Sequence, residues 1–358
     1  MASTPFFWTN SQALVWKGFE EKHLKLLRPF NGFAVMGVGL CDLKTGNAFG
    51  WNHELVGFAA SLTKIAAMYA AFHLQASLRN ATDVHGMKQP EQQKKLAADW
   101  RPELKKALGS VPQKGDFPKL ARIFKPGDDG FPFSDAFQHN LEEMIGPSSN
   151  EGAHYCIDSI GFDYLLGGLI YGGFYSTKDG KGLWLSGNYD GKADEQDGAE
   201  APGVTSIKDH SQRHQVATAA AVTLFLVNLG KKELVTRKAC LAMEGLMDNS
   251  YADRAIGGGS SSNHVYGKLG IQPNNKSFHD CAIVERHCLS YSMTVLFMPN
   301  SGSAGSPKID FGIFTVLDSI ADELFAGSKA ACEAAAAPPT RIKSFAGASA
   351  SASGSASR

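Results

Sequence analysis

The chain has 358 residues, with 35 Lys and Arg against 35 Asp and Glu, so its formal net charge at pH 7 is zero. Hydrophobic residues make up 43% and charged residues 20%, an ordinary balance for a soluble globular protein. This balance disfavours nucleic acid as a partner, and no apolar run is long enough to span a membrane. The first ten residues do not form a signal peptide, so we expect a cytoplasmic protein, or a periplasmic or secreted one if a leader was removed.

The first 140 residues combine a helix, a hairpin and a long polar segment. Residues 11–29 place apolar side chains among charges, a pattern typical of an amphipathic helix. Residues 33–40 and 47–51 flank a short polar turn and predict a β-hairpin. The Ala-rich run over 58–74 contains neither Pro nor Gly and indicates a helix. Residues 79–140 are Lys-rich and interrupted by prolines, which favours short helices in a lobe beside the sheet.

The second half of the chain alternates helix-like and strand-like runs around a Gly-rich and Asp-rich surface loop at 176–204. Apolar periodicity predicts helices over 155–171, 209–229, 233–247 and 310–325. Alternating apolar residues predict strands over 264–271, 279–285 and 289–298.

This order of elements predicts an α+β fold: one antiparallel five-stranded sheet built from both chain ends, flanked by helices, with an inserted all-helical lobe. We expect a single domain over 11–332, with a sheet part at about 11–60 and 250–328 and the lobe at 61–249. Residues 333–358 are Ala, Ser and Gly with little to bury, which predicts a disordered tail. The six cysteines form no C-x-x-C pair, and we interpret them as mostly reduced, buried thiols.

The first candidate site is the pair Ser61 and Lys64, three residues apart at the start of the apolar helix. Helical spacing puts both side chains on one face. Burial disfavours a lysine ammonium, so such a lysine can act as a base near neutral pH. The alternative is a serine that caps the helix and a solvated lysine.

Two further patterns carry polar groups. Ser148 and Asn150, two apart in a loop, can offer a hydroxyl and an amide to one pocket, or form an ordinary turn. Lys268 lies on a predicted strand two residues before Gly270, and that glycine lets a substrate backbone approach the strand edge. The alternative for this strand is an edge position with a solvated lysine.

In this order, S-x-x-K at Ser61, S-x-N at Ser148 and Lys268-Leu269-Gly270 resemble the serine β-lactamase and penicillin-binding protein superfamily. The resemblance covers most of residues 11–325. It implies a serine hydrolase that cleaves an amide or ester bond through a covalent seryl ester, without metal or cofactor. The substrate is a small molecule or peptide, and the oligomeric state is left open.

The resemblance implies a role for each matching residue. Ser61 is the nucleophile, Lys64 its general base, and Ser148 the group that passes a proton to the leaving group. Asn150 holds the substrate amide, and Lys268 shapes the electrostatics around Ser148. The backbone N–H groups of Ser61 and Ile271 form the oxyanion hole beside Gly270. Asn188 matches a binding-loop asparagine. The predicted site residues are therefore Ser61, Lys64, Ser148, Lys268, Asn150, Gly270, Ile271 and Asn188.

Two departures from the family pattern bear on the substrate. Leu269 stands at the position of a Ser or Thr whose hydroxyl usually binds the substrate carboxylate in this family. His279 or Arg286 could take the place of that hydroxyl. Trp184 stands near the glutamate that activates the hydrolytic water in class A β-lactamases. The alternatives to a general amidase, esterase or peptidase are therefore a class A-like β-lactamase and a non-catalytic ligand-binding protein that kept the fold.

One further pattern, a pair of histidines, could indicate a metal site, but this is the weaker interpretation. His210 and His214 are four residues apart, a spacing that can bind zinc, but no H-E-x-x-H motif and no third ligand accompany them. Helix capping or a surface role is the preferred interpretation, so we predict no metal.

Overall fold

The computed structural model describes residues 13–31, 34–88, 91, 95, 118–126, 130–189, 198–257, 263–272, 277–299 and 310–336. The predicted α+β class is confirmed. The strands are β1 Trp16–Gly18, β2 Ala34–Asp42, β3 Ala48–Trp51, β4 Gly57–Phe58, β5 Tyr175–Ser176, β6 Lys181–Gly182, β7 Trp184–Leu185, β8 Gln215–Ala217, β9 Asp248–Asn249, β10 His264–Gln272, β11 Ser277–Arg286 and β12 Leu289–Pro299. The α-helices are α1 Glu21–Leu27, α2 Lys64–His85, α3 Leu120–Ile123, α4 Asp135–Ile145, α5 Asn150–Ile160, α6 Phe162–Tyr171, α7 Ala219–Gly230, α8 Arg237–Leu246, α9 Gly312–Leu324 and α10 Ala326–Ala336.

The main sheet has seven strands in the order β1-β3-β2-β12-β11-β10-β9, rather than the predicted five. The five inner strands are antiparallel, as the sequence predicts. The two extra strands lie at the edges and pair in parallel, β1 with β3 and β9 with β10. They span three and two residues, too short for an alternating pattern to show in the sequence.

Two predicted helices are divided by strands. The described part of the predicted helix 11–29 forms β1 and then α1, with an extended Glu20 between them. Residues 209–229 begin with a 3-10 turn at His210–His214 and continue as β8 before α7 starts. Strand β8 pairs with both β4 and β7, and these hydrogen bonds hold an apolar segment extended that helical periodicity alone would place in a helix.

The sheet has a hydrophobic core on each face. The larger core joins one face to the helical lobe and includes Cys281, Ile283 and nearly all of α2 up to Leu78. The smaller one lies under α9 and includes Ala282 and Val284, the alternate residues of the same strand. Because α2 is apolar all round, it lies in the middle of the lobe and rigidly fixes what stands at its first turn.

The C-terminal helix bears on two predictions. Helix α10 runs through Ala336, so residues 333–336 of the predicted disordered tail are helical, and 337–358 lie outside the described residues. Cys332 on this helix forms a disulfide with Cys288, which corrects the interpretation of the thiols for two of the six cysteines. The other four are free and buried. Within the described ranges, no helix has the length and hydropathy needed to cross a membrane.

Candidate active site

Ser61 lies in a 3-10 turn, Ala60–Thr63, between β4 and the start of α2, and we name this segment the nucleophile turn. Ala60 has a left-handed φ of 47°, and the Thr63 hydroxyl closes the turn by donating to the Ala60 carbonyl at 2.8 Å. The turn presses against β10 at Gly270. A Cβ on Gly270 would lie 2.6 Å from the Leu62 nitrogen and 2.7 Å from the Ala59 carbonyl oxygen. Gly270 therefore allows the nucleophile turn to approach β10 closely, and the approach of a substrate backbone to this strand stays a prediction.

Lys64 is fully buried, and its ammonium group meets three acceptors of the next loop. Its Nζ donates to the Ser148 carbonyl at 2.7 Å, to the Ser149 carbonyl at 3.2 Å and to Asn150 Oδ1 at 2.8 Å. Burial, helped by the charge of Lys268, lowers the pKa of Lys64 to about 7. Half of the Lys64 side chains are thus neutral near pH 7, which is the form that accepts a proton.

The loop before α5 brings Ser148 and Asn150 to this lysine, across more than eighty residues of sequence. Ser148 has a left-handed φ of 67°, and its Oγ lies 3.5 Å from Lys64 Nζ. Ser149 caps α5 by accepting from the Gly152 N–H at 3.1 Å. The cap fixes the start of the helix, and with it the position of Asn150. Strained backbone at Ser148 is the kind of feature that concentrates at functional sites.

Lys268 lies on β10 with its side chain fully buried. Its Nζ donates to the Leu269 carbonyl at 3.0 Å. Burial lowers the pKa of Lys268 to about 8, although Cys281, Asp280 and Asp248 act in the opposite direction. The charge of Lys268 in turn disfavours the cation on Lys64, so the two lysines form one electrostatic unit beneath the site.

Four of the predicted residues line one open cavity of about 390 Å³: Ser61, Ser148, Asn150 and Ile271. Glu151 and Leu269 complete its described wall. Gly267 donates its N–H to the Met247 carbonyl at 2.8 Å, on the side of β10 that faces away from β11. Alternate residues of a strand direct their N–H groups to the same side. The Ile271 N–H therefore points away from β11, to the side of β10 on which β9 pairs with Gly267 and Lys268.

Asn188 lies outside the wall of this cavity. It is buried, and its carbonyl oxygen accepts from His154 Nδ1 at 3.2 Å. Trp184 is also buried, and its indole N–H reaches Ser186 Oγ at 3.1 Å and the Ala199 carbonyl at 3.0 Å. The structure thus gives Trp184 a packing role and does not support the predicted substrate contact of Asn188.

Neither proposed substitute for the missing hydroxyl lines the cavity. His279 pairs with Gly270 across the sheet and is fully buried, which lowers its pKa to about 3 and keeps it neutral. Arg286 lies at the far end of β11 and forms ion pairs with Asp318 and Asp322. The described part of the cavity wall therefore has a leucine where the family pattern has a hydroxyl.

The two histidines with metal-like spacing have separate surroundings. Exposed His210 pairs with Glu200 at 2.8 Å, whereas His214 Nδ1 lies 3.0 Å from Ser186 Oγ. Over the described ranges, no group of three or more His, Cys, Asp or Glu side chains is arranged to hold a metal ion.

Tyr189 is a site residue that the sequence reasoning missed. Its ring lies 4.6 Å from Lys64 Nζ, and its hydroxyl donates to the Ala60 carbonyl at 3.0 Å and lies 2.9 Å from Thr63 Oγ1. Tyr189 has a left-handed φ of 63°, like Ala60 and Ser148. It links the nucleophile turn to the lysine over 129 residues of sequence, and no local pattern marks such a contact.

Comparisons with known proteins concern the fold and the class of this chain. A model described as the β-lactamase enzyme family matches residues 136–308. The structure of PBP-A has a TM-score of 0.52 at 13% identity, covering 87% of this chain and 100% of that one. The structure of a PBP-A mutant in an acyl-enzyme complex with penicillin G has a TM-score of 0.52 at 12% identity, covering 86% of this chain and 98% of that one. The structure of a β-lactamase from Burkholderia phymatum has a TM-score of 0.51 at 13% identity, covering 86% of this chain and 97% of that one.

A comparison with curated proteins finds no match. At these identities the solved structures establish the fold, and the family match adds the class. Together they support a serine hydrolase of the β-lactamase type. The β-lactamase family match and the shared fold confirm the predicted resemblance of this chain to the serine β-lactamase and penicillin-binding protein superfamily.

Proposed function

We propose that this chain hydrolyses an amide or ester bond through an acyl-enzyme on Ser61, with Lys64 as the general base. The observation that carries the proposal is the placement of Lys64. Its buried Nζ is held by the loop that carries Ser148 and Asn150, one helical turn from Ser61, and its pKa is lowered to about 7. A lysine exposed to solvent would stay protonated at neutral pH and could not serve, so burial is what makes Lys64 a possible base.

In the proposed acylation, Ser61 Oγ attacks the substrate carbonyl carbon while its proton passes to neutral Lys64 Nζ. The new C–O bond forms a tetrahedral intermediate, whose oxyanion accepts from the N–H groups of Ser61 and Ile271. One such donor contributes roughly 3–4 kcal/mol to the transition state. The intermediate then collapses as the bond to the leaving group breaks.

Ser148 is proposed to carry the proton to the departing amine or alcohol. Its Oγ lies 3.5 Å from Lys64 Nζ, within reach of a small shift on substrate binding. Water then attacks the seryl ester, releases the acid and restores Ser61. The buried Trp184 leaves the class A route to this water without its glutamate, so we propose slower deacylation than acylation.

The test is the turnover of an activated aryl ester and of a chromogenic β-lactam by the wild type, Ser61→Ala and Lys64→Met. We expect both variants to lose at least 10²-fold in kcat/KM, as removal of a nucleophile or base does. A matched control is Lys44→Met, an exposed lysine in the turn after β2, which should keep the wild-type rate. Equal turnover by wild type and Ser61→Ala would contradict the proposal and favour a ligand-binding protein.

A further inference from the structure

The charge on the wall of the cavity limits which substrates can enter it. Glu151 supplies the one ionisable side chain among the described residues of the wall. Opposite it on β10, the wall is apolar, formed by Leu269 and Ile271. A substrate carboxylate placed here would meet a like charge on one side and an apolar surface on the other.

The two buried lysines do not offset this arrangement directly. Both side chains are fully buried, beneath the cavity rather than on its wall. Lys64 Nζ is already engaged by Ser148, Ser149 and Asn150, and Lys268 Nζ by the Leu269 carbonyl. Their hydrogen bonds are thus directed to the protein.

The N-terminus of α5 points to the same conclusion. A helix N-terminus attracts anions because its first N–H groups lack partners within the helix. In α5 one of these donors, the Gly152 N–H, is met by the Ser149 hydroxyl, and the Glu151 carboxylate lies in the first turn. The Glu151 carboxylate accepts from its own backbone N–H and from the Ser149 hydroxyl, the latter at 3.0 Å, and these two hydrogen bonds lower the pKa of Glu151. Glu151 therefore stays ionised at neutral pH and puts a negative charge on the wall of the cavity.

We propose that this site selects esters or amides that carry no carboxylate beside the scissile bond, so that its substrates are uncharged or cationic there. The inference rests on the proposed function of Ser61. It assigns specificity to Glu151, through like-charge repulsion, and to Leu269, through the absence of a hydrogen-bond donor.

The test uses three phenyl esters with the same acyl group, whose leaving groups bear a carboxylate, a carboxamide or an aminomethyl group at the same ring position. Each kcat/KM is divided by the rate of spontaneous hydrolysis of that ester. For the wild type we expect the carboxamide and aminomethyl esters to exceed the carboxylate ester in kcat/KM by at least about fivefold, the effect of one unit charge about 4 Å away in water, because Glu151 is exposed. Raising the salt concentration should narrow this ratio.

Two variants identify the residues responsible. Glu151→Gln should raise the carboxylate-to-carboxamide ratio by about threefold to fivefold, and Leu269→Thr by about tenfold, since a hydroxyl can donate to the carboxylate. The matched control is Glu233→Gln, an exposed glutamate outside the cavity wall, which should leave all three rates unchanged.

The results separate the two proposals. Labelling of Ser61 by a fluorophosphonate, which bears no carboxylate, tests the nucleophile alone. If Ser61 is labelled but the carboxylate ester is the preferred substrate, or if Glu151→Gln leaves the ratio unchanged, the substrate inference is wrong while the proposed function stands. If Ser61 is not labelled and turnover does not depend on it, both are wrong.

Discussion

The contact between Gly270 and the nucleophile turn gives a sharp prediction for a single methyl group. In Gly270→Ala, the added Cβ would lie 2.6 Å from the Leu62 nitrogen and 2.7 Å from the Ala59 carbonyl oxygen. Both atoms belong to the backbone, so no side chain can rotate away. The nucleophile turn and β10 must instead separate.

The size of the displacement follows from these distances. To bring the shorter contact to 3.0–3.4 Å, the turn must move by 0.4–0.8 Å, and Ser61 moves with it. A shift of about 1 Å in a catalytic group can cost about 10²-fold in rate, so we expect acylation to slow by about 10- to 100-fold. The overpacking should also lower the free energy of unfolding by about 1–3 kcal/mol.

The assay is the rate of Ser61 labelling by a fluorophosphonate, followed by intact-mass spectrometry, with circular dichroism to confirm folding. Gly245→Ala on α8 is the matched control, because no atom lies within 4 Å of its added Cβ. The control should label at the wild-type rate and gain up to about 1 kcal/mol in stability from helix propensity. A folded Gly270→Ala that labels as fast as the wild type would refute the proposed coupling of the strand to the nucleophile.

Three further predictions concern ionisation and the disulfide. The acylation rate should rise with pH through about 7, the pKa of Lys64. Lys268→Met should shift this rise to higher pH, because it removes a positive charge that lowers the pKa of Lys64. A rise at the same pH in the variant would contradict the electrostatic coupling of the two lysines. Burial raises the pKa of Asp280 from 3.8 to about 7, so the folded state binds its proton more tightly than the unfolded state. Stability should therefore fall by up to about 4 kcal/mol as pH rises from 4 to 7, and denaturant unfolding of Asp280→Asn should lack that share of the fall. The disulfide between Cys288 and Cys332 closes 44 residues, so reduction should lower the free energy of unfolding by about 4 kcal/mol; equal denaturation midpoints with and without reductant would argue against the bond.

Local patterns predicted the inner part of the fold. The strands β10, β11 and β12 are nine to eleven residues long, and their alternating apolar residues are visible in the sequence. The long run without Pro or Gly predicted α2, but its first residues, with Ser61, form a 3-10 turn, and the α-helix begins at Lys64. By contrast, β1, β8 and β9 are two or three residues long, and only their pairing partners make them strands.

The candidate site divides along the same line. Ser61 and Lys64 are neighbours on one turn, so their proximity could be predicted from spacing alone. The hydrogen bonds from Lys64 to the Ser148–Asn150 loop span 84–86 residues, and the motif order of a known family pointed to them. No motif marks Tyr189, and the sequence does not show the contact of Gly270 with the nucleophile turn, because both depend on how distant segments pack.

The roles of Ser61 as nucleophile and Lys64 as base are tested most directly by peptide-resolved mass spectrometry. The wild type and Lys64→Met are treated briefly with a fluorophosphonate or an activated ester at pH 8. We predict one adduct, on Ser61, that forms rapidly in the wild type and at least about 10²-fold more slowly in Lys64→Met. An adduct on another residue, or equal rates in the two proteins, would contradict these roles.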